Sequence, residues 1–146
     1  MKLHALLFAA AFALGACAST QRAFSYGNGY PDADVFVGNQ RFQVWFHERD
    51  DTLLIQRGDP QPLGGLLTQN ATIYGNDATL DPLWWGAAAN AVLTQFGCYG
   101  AEVSEHNRTQ MREVSYVCPQ PVDVWDQIEQ KRAEWRRGVH VPAPAA

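Results

Sequence analysis

The chain has 146 residues, enough for about one domain, and is 47% hydrophobic and 12% aromatic. Only 18% of residues are charged and the formal net charge is −4, which excludes a disordered acidic tail. A nucleic-acid binder is excluded as well, because the basic residues are scattered except near the C-terminus and a duplex needs clustered Lys and Arg to meet its phosphates.

The N-terminus reads as an export signal, residues 1–16. Lys2 supplies the positive start, and Leu6 to Ala16 are apolar or small throughout. That run is too short for a membrane-spanning helix, which needs about 20 residues. It ends in Leu14-Gly15-Ala16-Cys17. These four residues resemble the lipobox of bacterial lipoproteins, in which a dedicated signal peptidase cuts before a cysteine whose thiol is already diacylglycerylated. The resemblance covers residues 1–17 only and implies nothing about the globular fold. It implies lipidation at Cys17 and membrane lipid as the first partner. Several acyl chains would be needed, because a single chain holds a protein only marginally, at about 0.8 kcal/mol per buried CH₂. Ala18 and Ser19 lack an acidic retention signal, so the resemblance implies an outer-membrane destination facing the periplasm. With the leader removed, 10 basic residues remain against 15 acidic ones.

Residues 17–40 are expected to form the lipidated N-terminus and a tether. Gly27, Gly29, Pro31 and Gly38 punctuate it, with Phe24, Tyr26 and Tyr30 available for partial packing, and Asp34 to Val37 could add a short strand. The domain proper is expected over 41–138. Arg41 to His47 alternates, with Phe42, Val44 and Phe46 on one side and Gln43, Trp45 and His47 on the other. Asp50-Asp51 turns the chain into Thr52–Arg57, which makes a hairpin. Residues 58–80 are rich in Gly and Asn and form a long connection, a feature uncommon in compact domains unless functional.

Asp81-Pro82 is a helix start, with Asp as the cap and Pro at the first helical position. The helix is expected to reach Phe96 and stop at Gly97. Leu83, Ala87, Ala91 and Val92 are assigned to its core face; of the adjacent Trp84 and Trp85, one should lie at the surface. Cys98–Glu105 and Met111–Cys118 form a second hairpin, in which Cys98 lies opposite Cys118, Glu102 opposite Val114 and Ser104 opposite Arg112. Directly opposed Cβ atoms approach within about 4.5–5.5 Å. In an oxidising envelope the two thiols left after lipidation would therefore pair as a Cys98–Cys118 disulfide. A pair of buried free thiols is the alternative. Asp123 caps a last helix that ends near Gly138, and residues 139–146 are expected to be a flexible tail.

These elements amount to an α+β domain: a small antiparallel sheet of about four strands in ββαββ order, packed by a helix, plus a C-terminal helix. Candidate partner-binding residues are Trp125, Trp135, Arg132 and Arg136, since interfaces favour aromatics and arginine. The Arg and Lys near the helix end also suit its dipole. Glu102, Ser104 and His106 would share a strand face, but a solvated hairpin tip accounts for them more simply than a triad. His47, Glu48, Asp50 and Asp51 are more simply a turn than a metal site. Neither a metal nor a cofactor is expected. The function class that follows is a noncatalytic envelope lipoprotein with a binding or structural role, alongside an envelope protein partner. The alternatives are a small-ligand-binding lipoprotein and, further off, a lipid-anchored hydrolase using His47 or His106.

Overall fold

The computed structural model describes residues 21–27, 29–59, 62–64, 80–104 and 111–145. Cys17, His106 and most of the 58–80 connection lie outside them. The strands are β1 (Ala33–Val37), β2 (Gln40–Phe46), β3 (Thr52–Arg57), β4 (Tyr99–Val103), β5 (Met111–Val117) and β6 (Val139–Val141). Two helices, α1 (Pro82–Leu93) and α2 (Val124–Trp135), interrupt them.

The sheet order is β4-β5-β3-β2-β1-β6. All neighbours are antiparallel except β1 and β6, which run parallel. The expected four-stranded antiparallel ββαββ sheet is therefore replaced by a six-stranded mixed sheet that curls into a half-barrel. The four expected strands are present, and β1 and β6 add to them. β1 lies in the segment read as tether, at the place where Asp34 to Val37 offered a short strand. Its Asp34 is a poor strand residue on its own, but Arg41 on the neighbouring strand grips the carboxylate with Nε at 2.9 and 3.0 Å from its two oxygens. β6 lies where a frayed tail was expected. Val35, Phe36 and Val37 pair with Val139, His140 and Val141, so the tail closes one sheet edge. Gly138 turns the chain into β6 at φ +116°. A Cβ there would sit 3.1 Å from the Phe36 ring, which itself stacks on His140 at 4.6 Å.

β2 alternates as its sequence requires, and both of its faces are buried. Phe42, Val44 and Phe46 join Val35, Leu53, Ile55 and Val114 beneath α1. α1 starts at Asp81, whose side chain accepts from Leu83 N, and its last turn tightens into a 3₁₀ segment (Thr94–Phe96) before Gly97 at φ 81°. Its buried residues are Trp85, Ala88, Ala89, Ala91, Val92 and Leu93. Leu83, assigned to that face from the sequence, is instead 58% exposed. The alanines and Gly100 let the helix lie close to β4: a Cβ on Gly100 would be 3.2 Å from Val114 and 3.6 Å from Ala89. On the other face, Trp45, Leu54, Leu63 and Met111 are covered by Ala23 and Tyr26 from the N-terminal segment.

Cys98 and Cys118 form a disulfide. The register beside it is the expected one, with Tyr99 opposite Val117 and Gly100 opposite Tyr116. A β-bulge then intervenes, so Val103 rather than Glu102 lies opposite Val114. Such an insertion twists the strand and changes which side chains share a face. Replacing both cysteines with alanine is expected to lower the free energy of unfolding by about 3 kcal/mol, the loop-closure value for a bridge of this span. Urea denaturation of the double variant against the oxidised protein measures it.

Candidate functional site

The N-terminal segment contributes a short strap rather than a free tether. Residues 21–24 are helical, and Ala23 and Tyr26 point down into the second cluster. Arg22 locks the strap to the sheet. Its Nη2 donates to Glu113 Oε1 at 2.6 Å and to Thr52 Oγ1 at 3.1 Å, and its Nη1 donates to Asp50 Oδ2 at 2.5 Å. Hydrogen bonding to Glu113 raises the guanidinium pKa above its already high ordinary value. The Asp50 carboxyl is held below the usual range, chiefly by its hydrogen bond from Arg22. The Tyr26 hydroxyl donates to Thr52 Oγ1 at 2.7 Å.

His47 is buried beside this clamp. Backbone N–H groups of Arg49 and Asp50 donate to its Nδ1 at 3.2 and 3.0 Å. Two donors on Nδ1 place the proton of a neutral ring on Nε2, which faces Ser25 Oγ at 2.9 Å and lies 3.4 Å from Arg22 Nη1. Ser25 Oγ in turn donates to the Arg22 carbonyl at 2.6 Å. Ser25, His47 and Asp50 thus lie together in the spacing of a hydrolytic triad, with Asp50 Oδ2 at 3.5 Å from Nδ1. The proton roles are reversed. A general base needs a lone pair on the nitrogen facing the nucleophile, and here that nitrogen carries the hydrogen. Ser104, the serine weighed from the sequence, is part of the sheet edge: its Oγ accepts from Glu113 N at 2.9 Å.

Beyond His47 the turn through residues 48–51 faces the start of α2 across a groove of about 550 Å³. Glu48, Asp51 and Asp123 outnumber Arg49 on its rim and make it net acidic, and Trp125 and Tyr116 supply aromatic wall. Asp123 also caps α2, accepting from Asp126 N at 3.0 Å. Trp125 is half-buried. Tyr116 is only 5% exposed, and its pKa is pushed up to about 12 by burial and then by the charge of Asp51. Its hydroxyl is thus a neutral donor at ordinary pH.

Three of the four partner-binding candidates have structural duties instead. Trp135 is fully buried, stacked on Phe46 at 6.0 Å, with its Nε1 donating to Gln95 Oε1 at 3.0 Å. Arg132 Nε donates to Asp32 Oδ1 at 2.9 Å, and the other oxygen of that buried carboxylate accepts from Phe46 N at 3.0 Å. Arg136 Nε donates to the Pro31 carbonyl at 2.8 Å. Only Trp125 of the four lines the groove. Sequence reasoning missed Arg22, Ser25 and Tyr116. A signal for the first existed: Arg22 is the only basic residue between Cys17 and Arg41, beside an apolar pair at helical spacing, Ala23 and Tyr26.

No protein-family model, curated protein or solved structure matches this chain.

Two outcomes follow for the ion pairs. Arg132→Ala is expected to destabilise the fold by about 2 kcal/mol, less than for a fully buried pair because the arginine is partly exposed; thermal or urea unfolding reports it. Arg22→Met should cost most above about pH 4. Asp50 has a depressed folded pKa, so its contribution exists above its unfolded value and is lost as pH falls through the folded one. The stability gap between wild type and Arg22→Met, measured from pH 6 to pH 3, should therefore narrow with acidification.

Proposed function

We propose that this chain is a noncatalytic envelope lipoprotein, anchored through acylated Cys17 and directed to the periplasmic side of the outer membrane, that binds another envelope component in the groove between the β2–β3 turn and α2. The observation that carries the reading is the placement of Trp125. Trp45, Trp85 and Trp135 are buried in the core, Trp84 and Trp125 are half-buried against it, and of these two it is Trp125 that lines the open groove. Half-buried aromatics in such positions are the usual anchors of interfaces. The acidic rim favours a partner group with positive charge, and the neutral Tyr116 phenol can donate to it a hydrogen bond beside that charge.

The hydrolase alternative is disfavoured by the His47 tautomer, which presents a proton rather than a lone pair to Ser25. A small ligand is the second reading, favoured by the groove's volume, which falls within the range of about 300–1,000 Å³ that such ligands occupy.

Cross-linking in native membranes, followed by purification of the lipidated chain, tests the reading. Trp125→Ala should reduce the recovered cross-linked partner about tenfold or more, equivalent to at least about 1.4 kcal/mol of binding, with unchanged melting. Leu83→Ala, an exposed α1 residue outside the groove lining, should leave recovery intact. Equal recovery with Trp125→Ala and wild type would remove the groove from the function.

A further inference from the structure

The strap has a geometric consequence for the orientation of the domain. Arg22 bonds Glu113, Thr52 and Asp50, so the strap is held to the sheet at that residue. Only five Cα–Cα steps separate Arg22 from Cys17. Fully extended, they span no more than about 18 Å. A domain of this size has a diameter of about 35 Å, taking its radius of gyration as about 13–14 Å. A leash half as long as the body it holds cannot carry the opposite side of that body to the bilayer.

The strap and α1 lie on opposite faces of the sheet. Ala23 and Tyr26 cover Trp45 and Leu54, whereas α1 covers Phe42, Val44 and Ile55, the alternate residues of the same strands. The strap side also carries two aromatics left outside the core, Phe24 at 45% and Tyr30 at 59% exposure. Trp45 Nε1 donates to the Gly29 carbonyl at 3.1 Å, which pins the backbone next to Tyr30. Aromatic side chains with this kind of exposure favour the headgroup layer of a bilayer. The charge of Arg22 is met by Glu113 and Asp50, while Glu48, Arg49 and Asp51 stand exposed at the adjacent turn and leave it net negative. Those acids oppose an anionic surface, so the chemistry fits zwitterionic lipid.

We infer that the strap side is the membrane-facing surface of the domain, with Phe24 and Tyr30 seated among the headgroups of a zwitterionic bilayer. The inference rests on the reading of Cys17 as the lipidated residue. It also sets the groove beside the turn at residues 48–51, close to the lipid rather than at the far pole, because Asp50 belongs to both the turn and the Arg22 clamp.

The test uses the full lipidated chain in phosphatidylcholine vesicles, carrying Phe24→Cys, Tyr30→Cys or, on the α1 side, Leu83→Cys. The Cys98–Cys118 bridge and a thioether at Cys17 leave the introduced thiol as the one that takes a nitroxide label. Collision of the label with oxygen, which concentrates in lipid, is compared with collision with a water-soluble nickel chelate. The ratio at positions 24 and 30 should exceed that at 83 severalfold. Equal ratios at all three positions, or a higher ratio at 83, would overturn the inference while mass spectrometry still finds the acyl chains on Cys17. Absence of acyl mass on that thiol would overturn the inference and the anchor reading together.

Discussion

The two-sided burial of β2 is the constraint from which the rest of the structure follows. Phe42, Val44 and Phe46 point to one face and Gln43, Trp45 and His47 to the other, and all six are buried. An antiparallel sheet with one wet face would leave Trp45 in water. Covering it takes material from elsewhere in the chain, and the N-terminal strap supplies it. The strap is too short to form a layer of its own, so it is held by polar contacts as much as by packing. Ala23 and Tyr26 fill the space over Trp45, and Arg22 reaches across to Glu113 and Asp50.

The same economy explains the basic residues of α2. Asp32 is buried at the start of β1 and accepts from the Phe46 backbone, which leaves a carboxylate that must be neutralised. Arg132 does so and thereby fastens α2 to the sheet, while Arg136 meets the Pro31 carbonyl one residue away. Trp135 completes the attachment by stacking on Phe46. Aromatic and arginine side chains clustered on one helix therefore have two physical explanations, interface and internal fastening, and here three of four belong to the second. Trp125 lies nearly three turns earlier on the helix, in the first turn, which lines the groove.

The polar constellation at His47 carries a related lesson about proximity. Ser25, His47 and Asp50 come together in space although no sequence motif joins them. The hydrogen bonds made by the remaining ring nitrogen decide what the group can do. Two backbone N–H groups on Nδ1 make the histidine a donor toward the serine, so the contact fastens the strap.

The local elements were legible in the residues themselves. Asp81-Pro82 and Gly97 bound α1, Asp123 caps α2, the alternation at 42–47 makes β2, and the opposed positions of Cys98 and Cys118 make the bridge, because capping, pleat and turn chemistry act over a few neighbouring residues. The lipobox resemblance at Cys17 is likewise a property of sequence alone. Tertiary structure decided the rest. β6 is a strand only because it meets the free side of β1, which already pairs along β2, and that contact spans about a hundred residues that no local pattern joins. The bulge after Gly100 rerouted the expected pairing of Glu102, and the groove exists only where the β2–β3 turn meets the start of α2. Burial and ion pairing between distant segments depend on which surfaces meet, and that is settled when the sheet closes.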